Sequence, residues 1–146
     1  MNYINPKSTV GCIIYKEDKI LLVKRAQDPF KNYWSLPGGH AELFEKVEEA
    51  VKREIKEELE LKINPKFFCF DQEISRKLKW HANVFIFKSE LKGIPRLNKD
   101  ENSDYKFFSE AKIKKLKLSF NHKKILIKFF KNEKYKPSYK NFKNKE

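Results

Sequence analysis

Apolar residues along this chain follow two different periods, and the switch between them outlines the fold. Residues 9–15 (TVGCIIY) and 20–24 (ILLVK) are apolar runs on either side of the polar turn Lys16-Glu17-Asp18-Lys19, which predicts a β-hairpin. Trp34-Ser35-Leu36 predicts a short strand running into Pro37-Gly38-Gly39. Further on, residues 67–74 (FFCFDQEI) and 79–88 (KWHANVFIFK) predict two longer strands around Ser75-Arg76-Lys77. Alternation in the second puts Trp80, Ala82, Val84 and Ile86 on one side and His81, Asn83, Phe85 and Phe87 on the other. A polar loop over residues 93–104 leads to a short strand at 105–108, and Ser109 can cap the turn that follows. A final helix is expected from about Asn121 to Lys131, with Ile125, Leu126, Phe129 and Phe130 as its apolar stripe.

Between these strands lies GGHAELFEKVEEAVKREIKEELEL, residues 38–61, where the period becomes helical. At about 100° per residue, Val47, Ala50, Val51, Ile55 and Leu59 share one face, and most charges sit opposite. Glu54 and Glu58 fall inside the apolar arc and Glu57 on its edge. A helix that needed only solubility would place these acids outside. Three carboxylates in one arc repel one another unless a cation neutralises them, and such oxygen ligands suit Mg²⁺, Mn²⁺ or Ca²⁺.

This stretch resembles the signature box of the Nudix hydrolases: Gly39, then Glu45, then Arg53-Glu54-Ile55, Glu57-Glu58 and a closing Leu61, with every spacing matched. One position departs, since Glu60 stands where the family has glycine. Glycine would end the helix in a left-handed conformation; a non-glycine residue there costs about 1–2 kcal/mol, or the helix runs a residue further. Phe44 and Lys46 also replace the small and capping residues often found there, leaving the helix start poorly capped.

The resemblance implies an α+β fold, with a mixed β-sheet between helices and the box as loop-helix-loop. It also implies metal-dependent hydrolysis of a pyrophosphate bond in a nucleoside diphosphate linked to another group, with Mg²⁺ (or Mn²⁺) as cofactor. Glu54, Glu57 and Glu58 are assigned to the metal, Glu57 also as leading base, with Arg53 and Glu45 orienting the carboxylates. Gly39 is the box's structural glycine, and Gly38 is the candidate to offer its carbonyl, because glycine permits close backbone approach. By the same resemblance Arg25 faces the substrate phosphates. Glu101 is the late acidic residue, with Asp100 and Asp104 as neighbouring alternatives. Tyr33 and Trp34 offer flat faces for a base, and His81 and Asn83 are candidates to reach into the cleft. Pro37-Gly38-Gly39-His40 after Leu36 resembles triphosphate pyrophosphatases, toward which the reading leans. Residues 118–126 (LSFNHKKIL) resemble ADP-ribose and dinucleotide hydrolases. A non-catalytic nucleotide- or RNA-binding module is the alternative of another class.

Composition refines this in three ways. The chain has 146 residues and 40% hydrophobic content, enough for one domain, expected over residues 1–131. No apolar run approaches the ~20 residues of a membrane span, and the start lacks a basic-then-apolar signal pattern. Cys12 and Cys69 each lie in an apolar run, which predicts buried free thiols and a cytoplasmic setting. The net charge of +13 is uneven, since residues 111–146 hold 13 lysines against two glutamates. Residues 132–146 are therefore expected to form a basic, loosely held tail. Nucleic acid is a weaker partner for it than plain solvation.

Overall fold

The computed structural model describes residues 5–137. The two expected hairpin runs form β1 (Lys7–Lys16) and β2 (Lys19–Arg25). The two arms pair only near the turn, from Ile14↔Leu21 to Lys16↔Lys19, and then diverge. Two short strands fill the fork. β3 (Trp34–Ser35) pairs with β2, and β4 (Gly38–His40) pairs with β1 through Thr9↔His40, Val10↔Gly39 and Gly11↔Gly38. The Leu36-Pro37 link between them is fixed by a hydrogen bond from the Cys12 amide to the Pro37 carbonyl, 3.0 Å.

The other edge of β1 pairs in parallel with β6 (Trp80–Glu90), whose antiparallel neighbour is β5 (Lys66–Ser75). β7 (Asn102–Ser109) runs antiparallel along β2. The result is one mixed seven-stranded sheet, as an α+β arrangement requires.

Helices cover both faces. α1 (Val47–Leu59) packs Ala50, Val51, Ile55 and Leu59 against Val10, Cys12, Ile14, Leu21 and Val23. On the opposite face, α2 (Glu110–Ile113) and α3 (His122–Phe130) bury Ile113, Ile125 and Leu126 against Ile13, Ile20, Leu22, Val84 and Ile86. Alternation along β1 and β2 supplies both cores at once, which is why these strands are apolar in both phases. Cys12 and Cys69 are buried free thiols. No helix among the described residues is long and apolar enough to cross a membrane.

The helix ends follow the capping expectations. Ser109 caps α2 by accepting from the Lys112 amide. Lys46 precedes α1 without a side-chain cap, although Glu48 and Glu49 in the first turn suit its positive end. Glu60 ends α1 in the left-handed region, φ 52°, in the conformation glycine would favour. Of the expected tail, residues 132–137 lie in the described part and residues 138–146 outside it. Tyr135, beyond the expected domain boundary, packs on the α3 side and donates its hydroxyl to Asp71 Oδ1 at 3.0 Å.

Candidate active site

The site is built where the hairpin forks. α1 lies across β4, and its two inward acids meet the glycines there. Glu54 is 9% and Glu58 5% exposed. A Cβ on Gly39 would collide with the Glu54 carboxylate, and one on Gly38 with the Val10 carbonyl oxygen. Both positions need glycine for space.

A third carboxylate arrives from the far edge of the sheet. Pairing of β7 with β2 skips Ser103, since Lys24 faces Asp104 and Arg25 faces Asn102. Just before this bulge, the Glu101 carbonyl accepts from the Ala26 amide at 3.0 Å. The bulge re-aims the strand end. Oxygens of Glu54, Glu58 and Glu101 come to lie within 4.8 Å of one another.

Electrostatics of the group follow from burial. Desolvation, then the Glu54 and Glu101 charges, push the Glu58 carboxyl well above its ordinary range; the Gly38 backbone and the Asn102 side chain partly offset this by hydrogen bonding. Asn102 Nδ2 donates to Glu58 Oε2 at 3.3 Å. Glu54 is also raised, chiefly by desolvation, against the pull of Arg53. Carboxylates crowded in this way are costly to ionise alone. Their all-oxygen donor set, with one exposed member, fits a hard divalent cation.

Arg53 holds the outer part of the site. It forms a two-pronged ion pair with Glu45, Nε to Oε2 at 2.8 Å and Nη2 to Oε1 at 3.0 Å. Nη1 donates to Glu54 Oε1 at 3.0 Å and to Glu57 Oε2 at 3.2 Å, while Nη2 also reaches the His40 carbonyl at 2.9 Å. The bonds from Arg53 hold the Glu45 carboxyl down at about 2 and raise Arg53 itself. Glu57 is therefore tied to Arg53 on the exposed side and stands outside the three-carboxylate group.

The other sequence candidates divide. Arg25 lines the cleft with its guanidinium 5.3 Å from the Phe120 ring centre and Nε donating to the Pro29 carbonyl at 2.7 Å. Burial lowers its pKa while Glu73, Glu58, Glu101 and Asp28 raise it. Tyr33 and Trp34 are not among the residues lining the two cavities: Tyr33 stands edge-on to Phe30, and Trp34 packs against Phe108 with the Lys24 and Lys106 ammonium groups each about 6 Å from its ring centre. His81 and Asn83 line neither cavity. Trp80, Val84 and Ile86, the other phase of β6, face the cavity, and Asn83 accepts from Gln72 instead.

Sequence reasoning passed over Asn102, Glu73, His122, Trp80 and Phe120. The signal for Glu73 lay in β5, where Cys69, Asp71, Glu73 and Ser75 share the buried phase, so two acids point inward.

Two cavities that share several lining residues complete the site. The larger of the two, about 360 Å³, is bounded by Glu54, Glu58, Glu101, Arg25, Lys7 and Asn102, among others. Carboxylates gathered beside the two glycines of β4, with Arg25 lining the same cavity, are an arrangement that could hold a hard cation next to a phosphate-binding group. Comparison with known proteins gives the family. The NUDIX domain model matches residues 5–129. An ADP-ribose pyrophosphatase of Methanocaldococcus jannaschii is 37% identical over 126 residues, covering 85% of this chain and 73% of that protein. Phosphatase NudJ of Escherichia coli is 36% identical over 89 residues, covering 61% of this chain and 58% of its own length. Among solved structures, a MutT NUDIX hydrolase from Burkholderia pseudomallei superposes with a TM-score of 0.71 at 30% identity, covering 74% of this chain and 86% of that one. The chain belongs to the Nudix family and is a Nudix pyrophosphohydrolase.

Proposed function

We propose that this enzyme hydrolyses the pyrophosphate bond of a nucleoside diphosphate linked to another group, with Mg²⁺ or Mn²⁺ held by Glu54, Glu58 and Glu101. The observation that carries the reading is the convergence of those three carboxylates within 4.8 Å at the mouth of a cleft lined by Arg25. The Gly38 carbonyl and Glu57 are the further candidates for the metal. When bound, the cation would offset the charge that builds on the phosphate oxygens.

The chain's own groups supply the rest. Arg25 binds phosphate. Arg53 fixes Glu54 and Glu57 through the ion pair with Glu45, so the carboxylates are held before substrate arrives. Glu57, exposed and beside the cluster, is the leading group to take the proton of the attacking water.

ADP-ribose is the first substrate to test, because the 37%-identical relative carries that activity in its name. Nucleoside triphosphates are the second reading, favoured by the residues 36–40 and by the likeness to the MutT structure. A turnover panel of ADP-ribose, nucleoside triphosphates, dinucleoside polyphosphates and 5′-triphosphate RNA, with and without Mg²⁺, separates them. ADP-ribose turned over to AMP and ribose 5-phosphate supports the first. Release of pyrophosphate or phosphate from triphosphates alone supports the second, and metal-independent turnover or none overturns the proposal.

A further inference from the structure

Glu101 differs from the other two carboxylates of the oxygen cluster. Glu54 and Glu58 are buried on α1, whereas Glu101 is exposed in the turn that precedes β7. Holding such a side chain beside two other acids costs conformational entropy and meets repulsion. The segment that carries it must therefore be fixed.

Residues 96–102 run past the C-terminal end of α1, where helix carbonyls lack intrahelical partners. The Arg96 amide donates to the Leu59 carbonyl at 2.9 Å and the Asn98 amide to the Glu58 carbonyl at 2.8 Å. At the far end, Asn102 Nδ2 donates to the carboxylate of the same glutamate, Oε2, at 3.3 Å. The segment from Asn98 to Asn102 thus begins on the backbone of Glu58 and ends on its side chain, with Glu101 in between. The Ala26 amide, just beyond β2, holds one further point by donating to the Glu101 carbonyl at 3.0 Å. Across Lys99 and Asp100, both exposed, the turn is held by Asn98 itself, whose Oδ1 accepts from the Asp100 amide at 3.1 Å. An asparagine oxygen that takes the amide two residues on fixes a turn in the way a backbone carbonyl would. Asn98 lines neither cavity.

We propose that Asn98 is a positioning residue: its side-chain oxygen sets the turn that delivers the Glu101 carboxylate to Glu54 and Glu58. It acts through Glu101 alone and touches neither metal nor phosphate. The inference rests on the metal reading above and adds to it a residue whose contribution is one acceptor atom. An exposed asparagine that merely shaped the loop would affect metal binding no differently with Glu101 present or absent.

The test is a double-mutant cycle read as Mn²⁺ affinity, from the free-ion EPR signal, with melting curves as the check on folding. Asn98→Ala should weaken Mn²⁺ binding about fivefold in the otherwise wild-type chain, the size of one modest hydrogen bond. In Glu101→Gln the same change should cost less than twofold. Asn98→Ser and Asn98→Asp each keep an acceptor, without and with added charge, and both should restore affinity to within twofold of wild type or better. The Asn98 amide stays bonded to Glu58 in all of them, so their melting temperatures should lie close together. Equal losses in both backgrounds, failure of Asn98→Ser to restore binding, or no loss at all overturn the role of Asn98 and leave the metal site standing. If Glu101→Gln binds Mn²⁺ as wild type does, the metal assignment of Glu101 falls, and this inference with it.

Discussion

The Glu54 carboxylate occupies the space where a side chain on Gly39 would begin. Gly39→Ala must therefore push Glu54 away from Glu58 and Glu101 or shift α1 from β4. A displacement of this size in a catalytic group costs about 100-fold in rate. We expect kcat to fall by that order with little change in melting temperature, measured by steady-state kinetics and calorimetry. Near-normal kcat would show that Glu54 is not needed where it sits.

Glu58→Gln separates the metal role from the structural one. Glutamine can still accept from Asn102 and Gly38, but it removes a carboxylate that burial makes costly to ionise. The metal-free variant should melt at or above the wild-type temperature at pH 7 and lose most turnover. Wild type should gain stability with Mg²⁺ as a ligand of the folded state, and the variant should lose most of that gain. Glu49→Gln, exposed on the outer face of α1, is the control and should change neither.

Glu73 and His122 give stability opposite slopes with pH. Glu73 is raised from 4.5 to about 8, so the folded state keeps a proton that the unfolded chain has lost. Its contribution is complete below about 4.5 and is lost as pH rises through about 8. His122 is lowered from 6.5 to about 3, so its contribution is present above 6.5 and lost as pH falls toward 3. Each slope is about 1.4 kcal/mol per pH unit where it acts, and the two cancel between 4.5 and 6.5. In metal-free melting curves, Glu73→Gln should flatten the decline between pH 6.5 and 8, and His122→Gln the decline below 4.5. Unchanged limbs in both variants would refute this assignment.

Glu60→Gly should stabilise the protein by about 1 kcal/mol, because glycine adopts the left-handed conformation freely. The substitution also removes the ion pair of Arg96 Nε with Glu60 Oε2, 3.6 Å apart, which is exposed and worth little. Urea titration measures the shift. A destabilised variant would mean the helix end depends on the glutamate side chain.

Tyr135→Phe tests the attachment of the C-terminal segment. Asp71 receives both the Tyr135 hydroxyl and Asn121 Nδ2, each at 3.0 Å. Removing one donor from a buried acceptor should cost about 1–3 kcal/mol. A chain ended after Lys131 should show at least as large a loss of stability, and an unchanged melting temperature in both would return residues 132–137 to a separable tail.

What the sequence made legible was whatever one element carries alone. Glu54 and Glu58 stand out because a single helical period puts them in an apolar arc, and the glycine pair lies directly before it. The strand phases were also readable, including the split in β6 between Trp80-Val84-Ile86 and His81-Asn83. Which phase meets the cavity was not, because that depends on where β4 and α3 pack. Asn102 meets Glu58 only through the β2–β7 register, and His122 meets Glu73 only through the docking of α3 on β5. Tyr135 was hidden for a related reason, since one hydroxyl reaching one buried aspartate leaves no periodic trace.

The bulge at Ser103 also bears on the order in which the site is assembled. Glu54 and Glu58 are neighbours as soon as one helical turn exists, but Asn102 lies 44 positions from Glu58. Bringing such distant segments together carries a loop-closure cost that local structure avoids. A partly folded chain holding only the hairpin and α1 would present two of the three carboxylates, without the asparagine that braces one of them. The complete oxygen cluster therefore exists only once β7 has joined its edge of the sheet, and the third carboxylate carries a closure cost that the first two do not.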